Sequence, residues 1–440
     1  MIKQIVFAAI LLVTLGIFTY TIRKIAAYFR ITRPAFPVKD IGKRFSVMLK
    51  VAIGQTKIFR KPVIGFIHAL VFWGFRIILI GSIEMVIDGL AGTERALKFL
   101  DLIYDVFIAA GDIFAFIIAI SIVVFLSRRL FFHITRFEGR EMKKANHIDA
   151  AIALTMILLL MLSLLGMNAS YLELKNISGE ETAGLFPVSI LLSGLFSESS
   201  SESLRVTHEI FWWSHIVLIF IFANMLPYSK HFHVFMSVPN VFLSRLEPLG
   251  KLANMDSITR EVKLMLYPDN QDNTTEAAPP ERFGIKDIED VTWKNYFDSL
   301  SCTQCGRCTS VCPANVTGKL LSPRKIIMDV RARMKEKGPG IVKNGRNFSD
   351  NKSLLRNYIT EEELWACTTC NACAMECPIN INQPSVIIDM RRYLAMEEGA
   401  VPGELKSVFS NIENNGAPWQ FSPEDRLLWS KDLEVRTDLK

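Results

Sequence analysis

The chain has 440 residues, of which 50% are hydrophobic and 21% are charged, and its formal net charge is +6. The apolar residues lie almost entirely before residue 245, whereas all eight cysteines lie between Cys302 and Cys377. This uneven distribution excludes a wholly soluble enzyme and a compact multi-span transporter, and it favours a membrane domain followed by a soluble domain.

The first half contains five apolar segments that are long enough to cross a membrane. A bilayer core about 30 Å thick requires about 20 mainly apolar residues per helix. The segments that meet this requirement are 4–22, 62–87, 106–127, 150–172 and 210–229. A shorter stretch, 182–197, contains a proline and several serines, and we interpret it as an amphipathic or partly re-entrant piece. Residues 1–245 are therefore predicted to form a five-helix transmembrane bundle.

Lysine and arginine in the short loops predict the orientation of this bundle. Residues 23–61 contain eleven basic residues and one acid, and residues 128–149 contain six basic residues. Basic loops usually face the cytoplasm, so we expect the N-terminus outside the cytoplasmic membrane and everything after the fifth helix inside. A cleaved signal peptide at residues 1–22 is disfavoured, because it would leave the basic loop on the outer side. The positive charge therefore indicates membrane lipid as a partner, and no nucleic acid.

Histidines at membrane depth indicate a haem site. His68 lies about 9 Å into the second segment from its cytoplasmic end. His215 and His233 are 18 residues apart, or about five helical turns, so both are predicted on one face of the fifth helix, with His208 on nearly the same stripe. Neutral imidazole binds haem iron, and depth pairs His68 with His233 around one haem b. A second haem at His215, with His208 as a further candidate ligand, lacks a histidine partner on the second helix. The alternative is that the histidine at residue 233 lies in the lipid headgroup region.

Two further charged residues, Arg76 and Asp112, lie inside the apolar segments. Both are about 10 Å from the outer face by helical rise, near the depth of His215. They are predicted to form an ion pair, to bind a haem propionate or to line a quinone pocket, and we favour the quinone pocket.

Two cysteine motifs follow a predicted linker. Residues 246–290 lose hydrophobic periodicity, and the run 269–281 reads as a mobile linker rich in Asn, Thr and Pro. Within a predicted domain at 291–400, the spacing C-x2-C-x2-C-x3-C-P occurs twice. In this motif three thiolates bind one [4Fe–4S] cluster and the fourth reaches the other cluster. The first cluster is assigned to Cys302, Cys305, Cys308 and Cys377. The second cluster is assigned to Cys367, Cys370, Cys373 and Cys312. Structural zinc is disfavoured, since it prefers paired C-x2-C motifs.

Helices are predicted to hold these cysteine loops. Residues 323–337 and 385–398 both have an amphipathic pattern. The fold class is therefore all-α: a five-helix transmembrane haem-binding bundle followed by an α-helical two-cluster ferredoxin domain. The tail, 401–440, is predicted to dock a partner.

Several motifs resemble known families. The second half is similar to the iron–sulfur region of D-type heterodisulfide reductase and related membrane oxidoreductases, through residues 302–313, 321–324, 365–367, 390–392 and 414–419. The first half resembles the haem b subunit of respiratory nitrate reductase, through His68, His215, residues 227–230 and His233. As a whole the chain resembles membrane oxidoreductases that pass electrons between electron-transfer flavoprotein and menaquinone.

The resemblance implies cofactors and partners. It implies haem b, menaquinone as substrate and electron-transfer flavoprotein as a redox partner. Ile78 stands where the nitrate reductase family has its second histidine on helix two. The oxidoreductase family usually continues into cysteine-rich CCG modules, and this sequence contains no adjacent cysteine pair. A separate CCG-type subunit is therefore expected.

We expect the chain to be a quinone-linked electron-transfer subunit of an oxidoreductase. It contains no recognisable nucleophile or general-base constellation, so no catalytic side chain is assigned, and its residues position and tune cofactors. A membrane-tethered iron–sulfur redox sensor is the alternative, although the sequence contains no recognisable output module. An ion-coupled transporter is disfavoured by the few charges in the apolar segments.

Overall fold

The structure is a computed structural model that describes residues 1–267 and 282–433, without the side chains of Ser257 and Glu261. Residues 269–281 of the predicted linker and residues 434–440 of the predicted tail lie outside this description. Within the described ranges the chain is helical and forms no β-strand. Two isolated bridges pair Arg33 with Thr292 and Leu355 with Ile359. The predicted all-α class is confirmed.

Long helices dominate the N-terminal half. Its helices are α1 (Ile2–Phe29), α2 (Ile41–Met48), α3 (Pro62–Ala91), α4 (Leu102–Leu130), α5 (Lys144–Ser178), α6 (Ser189–Ser193), α7 (Ser201–Met225) and α8 (His233–Phe242). A π-helical turn covers Leu49–Ile53, and 3-10 turns cover Lys98–Leu100, Thr135–Phe137, Gly194–Phe196 and Lys230–Phe232. Five of the described helices are long and apolar enough to cross a membrane, namely α1, α3, α4, α5 and α7. This agrees with the predicted five-helix bundle.

The bundle packs tightly where glycines face aromatic rings. A Cβ atom added to Gly89 of α3 would lie 2.6 Å from the Phe7 ring of α1, and one added to Gly166 of α5 would lie 2.6 Å from the Phe211 ring of α7. Phe7 is fully buried and its ring centroid lies 5.7 Å from that of Trp212. Small residues let membrane helices approach closely, so that van der Waals packing holds them together. These contacts fix α3 and α7, the helices that carry most of the candidate histidines.

The fifth membrane helix ends earlier than the sequence predicts. α7 ends at Met225, and the chain becomes helical again as α8 at His233. Pro227 lies in the intervening turn, and proline cannot supply the backbone N–H that a continuous helix needs. His215 and His233 therefore do not lie on one uninterrupted helix, and the predicted single stripe of five turns is wrong.

The segment between α5 and α7 folds back into the bundle. The Asp112 carboxylate of α4 accepts hydrogen bonds from the backbone N–H groups of Val188 and Ser189, at 2.8 and 2.9 Å. The Ser189 hydroxyl donates to the same carboxylate. Asp112 lies about 15 Å along α4 from its first residue at the helical rise of 1.5 Å. The stretch 182–197 is therefore re-entrant, and a buried carboxylate holds it there.

Shorter helices form the C-terminal half. They are α9 (Asp256–Leu266), α10 (Trp293–Ser301), α11 (Arg307–Ser310), α12 (Pro313–Val316), α13 (Pro323–Asn344), α14 (Leu354–Asn357), α15 (Glu361–Trp365), α16 (Ala372–Glu376), α17 (Gln383–Met396) and α18 (Gly403–Asn415), with a 3-10 turn over Pro423–Ser430. α13 and α17 are the two predicted amphipathic helices, and their apolar faces meet in the core. The fully buried side chains of this core include Ile326, Ile327, Val330, Met334, Val386, Ile387, Met390 and Leu394.

Residues 282–290, assigned above to the linker, pack into this C-terminal domain. The Ile285 side chain is buried, and its N–H donates to the Asp389 carbonyl at 3.0 Å. The Asp287 carboxylate accepts two hydrogen bonds from Arg333 of α13, at 2.9 and 2.8 Å. A buried carboxylate is tolerated only when it is paired in this way, so this segment is fixed to α13.

The C-terminal domain docks on one end of the bundle. Arg324, at the start of α13, is buried and donates to the Glu141 carboxylate at 2.7 Å and to the Arg136 carbonyl at 2.8 Å, both in the loop between α4 and α5. Arg331 of the same helix donates to the turn after α7, at the carbonyl groups of Pro227 and Ser229. The docked end contains the basic loops 23–61 and 128–149.

Candidate metal centres

The two cysteine motifs fold in the same way. In the first loop Gln304 and Gly306 have positive φ angles of 57° and 74°, and in the second loop Thr369 and Asn371 have 55° and 60° at the matching positions. Each loop then enters a short helix, α11 or α16, and ends at a cysteine followed by proline. The repeat in the sequence is thus also a repeat in the backbone.

The structure brings the eight cysteines together as two sets of four. The distal set lines a common cleft and consists of Cys312, Cys367, Cys370 and Cys373. The proximal set is joined by electrostatic contacts between its thiols and consists of Cys302, Cys305, Cys308 and Cys377. In each set one cysteine comes from the other motif, as in a two-cluster ferredoxin. This grouping supports the ligand assignment predicted from the spacing.

The spacing of the thiols differs from that of a single-ion site. Among the described residues, no group of three or more Cys, His, Asp or Glu side chains is close enough to hold one metal ion. Zinc binds its thiolates about 2.3 Å from one centre, whereas the four thiolates of a [4Fe–4S] cluster each bind a different iron. Both sets therefore fit a cluster better than structural zinc.

Burial makes free thiolates costly at these positions. It raises the pKa of the Cys302 thiol to about 11 and the pKa values of the Cys373 and Cys377 thiols to about 12. Thiolates here need a compensating positive charge, which the iron of a cluster supplies. The backbone also offers donors to sulfur, because the N–H groups of Thr369 and Ile381 lie 3.4 Å from the sulfur atoms of Cys367 and Cys377.

The proximal set lies against the membrane domain. Lys57, in the loop before α3, donates from Nζ to the Cys377 carbonyl at 3.2 Å. Arg307, in the first cysteine motif, is buried and donates to the carbonyl groups of Lys57 at 2.9 Å and Ile58 at 3.3 Å. Lys230, in the turn after α7, donates to the Gln304 side chain at 3.3 Å. Both loops that contact this set lead directly into the candidate haem histidines.

His68 and His233 lie close together at this end of the bundle. His233 and Arg307 are the charged groups near enough to act electrostatically on His68. His68 Nδ1 lies 3.2 Å from the Gln55 side-chain oxygen, and His233 Nδ1 lies 3.3 Å from the Lys230 carbonyl. Both oxygens are acceptors, so each Nδ1 carries the proton and each Nε2 is free to bind a metal. The two imidazoles therefore fit the haem ligand role predicted for them.

His208 and His215 border a separate cavity in the outer half of the bundle. This cavity has a volume of about 580 Å³. His215 Nδ1 lies 2.9 Å from the Leu160 carbonyl, and His208 Nδ1 lies 3.2 Å from the Met167 carbonyl. Both histidines are on α7, about two turns apart, so they cannot bind opposite faces of one porphyrin. Ile78, on the facing helix, lines the same cavity with an aliphatic side chain.

Arg76 and Asp112 are not brought together. Arg76 is exposed on the outside of α3, with its guanidinium over the Phe72 ring at 4.8 Å, and it is not part of the outer cavity. Asp112 borders that cavity and caps the re-entrant segment through Ser189. The predicted ion pair between Arg76 and Asp112 does not form in the structure.

Sequence reasoning missed other polar residues at both centres. The outer cavity is also lined by Glu84, Arg95 and Tyr104, and the Tyr104 hydroxyl donates to the buried Glu84 carboxylate at 3.2 Å. The charge of Glu84 within an apolar segment was a sequence signal for such a site. Lys57 and Arg307 gave no signal, because basic residues in basic loops are common.

A family comparison matches the cysteine region. Residues 301–381 match the family described as a 4Fe-4S dicluster domain. This range contains both cysteine loops and the helices between them. The C-terminal domain is therefore an iron–sulfur domain. No solved structure matches the chain.

Relatives extend the match over nearly the whole chain. It is 29% identical to a probable iron-sulfur-binding oxidoreductase, FadF, of Bacillus subtilis, over 96% of this chain and 60% of the relative. It is 27% identical to the EtfAB:quinone oxidoreductase of Syntrophomonas wolfei, over 90% of this chain and 55% of the relative. A shorter match, 35% identical, joins 25% of this chain to 55% of one polypeptide of a CoB-CoM heterodisulfide reductase of Methanosarcina acetivorans.

The chain spans about 60% of the length of the first of these relatives and less of the second. The dicluster match, the two cysteine sets and the five long apolar helices all agree with these names. The chain belongs to the family of membrane iron–sulfur oxidoreductases that includes FadF and the EtfAB:quinone oxidoreductase.

Proposed function

We propose that this iron–sulfur protein is the electron-transfer part of a membrane oxidoreductase and passes electrons between a cytoplasmic redox partner and menaquinone. The observation that carries the proposal is the position of the proximal cysteine set, which contacts the two loops that lead into His68 and His233. A cluster in the proximal set and a haem between these histidines would each accept and donate one electron. The remaining roles belong to side chains of this chain, which hold, orient and insulate these groups.

His68 and His233 are the residues that would bind the haem iron. Gln55 and the Lys230 carbonyl fix the Nδ1 protons, and this leaves Nε2 of both rings for the metal. Such hydrogen bonds to the far nitrogen orient a ligating histidine and increase its basicity. Arg307 joins this site to the proximal set, because it contacts the loop before α3 and acts electrostatically on His68.

One haem b is supported better than two. His215 has no histidine opposite it, since Ile78 lines the facing wall of the outer cavity. The outer cavity is instead suited to the head group of a quinone. Its walls are mainly apolar, and Glu84, Tyr104, Asp112 and Arg95 supply hydrogen-bonding groups. An apolar cavity with a few convergent polar groups is the usual form of a small-molecule site.

The basic loops support a cytoplasmic position for the iron–sulfur domain. Arg324 and Lys57 join that domain to the loops at 128–149 and 23–61, which hold most of the positive charge of the membrane half. Because such loops usually face the cytoplasm, we place the N-terminus on the outer side of the cytoplasmic membrane.

Two exposed surfaces support separate partners. Cys370 of the distal set is exposed, so a cytoplasmic donor such as electron-transfer flavoprotein would approach there. The tail exposes Trp419, Phe421 and Trp429. Contiguous exposed apolar side chains mark interaction sites, and we assign this surface to a separate CCG-type subunit. The EtfAB:quinone oxidoreductase relative supports the first partner class by its name.

Haem content of histidine variants tests the proposal. His68→Ala and His233→Ala should each lose the haem, because each removes one axial ligand, while the iron and sulfide of both clusters remain. Haem is measured by the pyridine haemochrome spectrum on the purified full chain. His231→Ala is the matched control, since this neighbouring ring has its Nδ1 3.1 Å from the Ser229 hydroxyl and is not assigned to the haem. Unchanged haem in either test variant, or a haem-free unmodified protein, would refute the pairing and leave the membrane-tethered redox sensor as the better explanation.

A further inference from the structure

Four cationic side chains surround the proximal cysteine set, and we call them the cation collar. Each acts electrostatically on a thiol of that set: Lys57 on Cys377, Arg136 on Cys305, and Lys230 and Arg331 on Cys302. Three of the four come from the membrane half, and Arg331 comes from α13. The collar is therefore complete only when the two halves of the protein are docked.

Neutral groups hold the collar in place. Lys57 donates to the Cys377 carbonyl, Lys230 to the Gln304 side chain, and Arg331 to the carbonyl groups of Pro227 and Ser229. In the described part of the chain, no carboxylate lies within ion-pair distance of any of the four. Arg324 also lies near Cys302, but it forms an ion pair with Glu141 at 2.7 Å and is therefore not counted.

Two carboxylates act on the collar from a greater distance. Glu376 acts on Lys57 and Arg136, and Asp149 acts on Lys230 and Arg331. These two acids are fewer than the four collar cations. The surroundings of the proximal set therefore carry an excess of positive charge.

The distal set has a different environment. Arg391 lies beside it, with its guanidinium over the Trp365 ring at 5.0 Å, and donates to the Leu364 and Cys367 carbonyl groups. This is one cation, in contrast to the four of the collar. Cys370 of this set is exposed to solvent.

Charge and burial act in opposite directions on the two clusters. Reduction adds one negative charge to a [4Fe–4S] cluster, so nearby cations stabilise the reduced form and raise its potential. Burial of the proximal set disfavours the more highly charged reduced form and lowers its potential. Interactions with unpaired cations are strong in such a buried site because little water screens them. The collar is therefore expected to exceed the effect of burial.

We propose that the cation collar raises the reduction potential of the proximal cluster above that of the distal cluster. An electron that enters at the exposed distal set then moves to the proximal set: the distal cluster loses one electron, the proximal cluster gains it, and no proton or further reactant is needed. The inference rests on the two clusters of the proposed function and is independent of the haem and the quinone. It assigns a direction of electron flow, from the cytoplasmic domain towards the membrane.

A redox titration of the full chain in detergent, followed by electron paramagnetic resonance, tests this proposal. Lys57→Gln should shift one cluster midpoint to lower potential, and Lys57→Arg, which keeps the charge, should restore it. Arg391→Gln is the reciprocal control, and it should shift only the other midpoint. In the unmodified protein the midpoint that responds to Lys57 should be the higher of the two. Iron and sulfide are measured for each variant, and Lys230→Gln replaces Lys57→Gln if that variant binds less iron.

Three results would overturn the proposal. The Lys57 and Lys230 substitutions could leave both midpoints unchanged, they could shift the same midpoint as Arg391→Gln, or the midpoint that they shift could be the lower one in the unmodified protein. None of these results depends on quinone activity. A protein that fails to react with menaquinone but shows the expected midpoints would contradict the proposed function and leave the collar intact.

Discussion

At the residue scale, backbone and side-chain oxygens determine which histidine nitrogen is available to a metal. His68, His233, His215 and His208 all place Nδ1 near an oxygen acceptor. Each ring therefore presents Nε2 as its free nitrogen. Only the first two lie near each other on different helices, and this geometry, rather than the tautomer, separates the haem pair from the histidines of the outer cavity.

Gly306 is the residue on which the docking of the first cysteine loop depends most directly. It has a φ of 74°, and an added Cβ would lie 2.0 Å from the Arg136 carbonyl oxygen, which is backbone and cannot move aside. We predict that Gly306→Ala reduces the iron content of the proximal set and lowers the apparent melting temperature of the purified protein. The physical cause is both the left-handed conformation and the collision with the loop between α4 and α5.

Gly318→Ala is the control for the conformational effect alone. Gly318 has a φ of 86°, but an added Cβ there would meet nothing within 4 Å. This variant should lose only about 1–2 kcal/mol of stability from the left-handed conformation and should keep its iron. Equal iron loss in both variants would show that contact with the Arg136 carbonyl does not matter.

At the scale of elements, the sequence predicted helices well and the breaks between them poorly. The five membrane helices and α13 and α17 follow from apolar length and amphipathic period. The break after Met225 depended on how the chain uses Pro227, because proline can either kink or end a helix. The inclusion of 282–290 in the core depended on the pairing of Asp287 with a distant arginine, which no local pattern reveals.

That pairing predicts a large effect of one substitution in α13. Arg333 has a fully buried side chain and forms ion pairs with Asp287 at 2.8 Å and Asp350 at 2.6 Å. Arg333→Met should destabilise the C-terminal domain by about 3–5 kcal/mol, because it leaves the Asp287 carboxylate buried with less positive charge around it. The measurement is the melting temperature reported by the visible absorbance of the clusters.

Lys352→Met is the matched control for a surface pair. The Lys352 side chain is half exposed and pairs with Glu336 at 2.6 Å. Exposed ion pairs contribute about 0–1 kcal/mol, so this variant should melt close to the unmodified protein. Melting of Arg333→Met at the same temperature as Lys352→Met would contradict a structural role for the buried network.

At the scale of the whole molecule, contacts between residues far apart in sequence create the redox sites. The ligands of both clusters follow from cysteine spacing, because the chemistry of the motif fixes the set. The contact of Lys57 with the Cys377 carbonyl and the proximity of Arg307 to His68 join the two halves of the chain. Basic residues in these loops were assigned to the membrane surface from the sequence. The folded chain uses part of this charge at the proximal cysteine set instead.

The central claim is that electrons pass between the cysteine sets and menaquinone by way of His68 and His233. The most direct test reduces the purified protein with dithionite, adds a menaquinone analogue and follows the electron paramagnetic resonance signal of the reduced clusters. The signal should disappear in the unmodified protein and persist in His68→Ala with its clusters intact. Loss of the signal at the same rate in His68→Ala, or its persistence in the unmodified protein, would contradict the account.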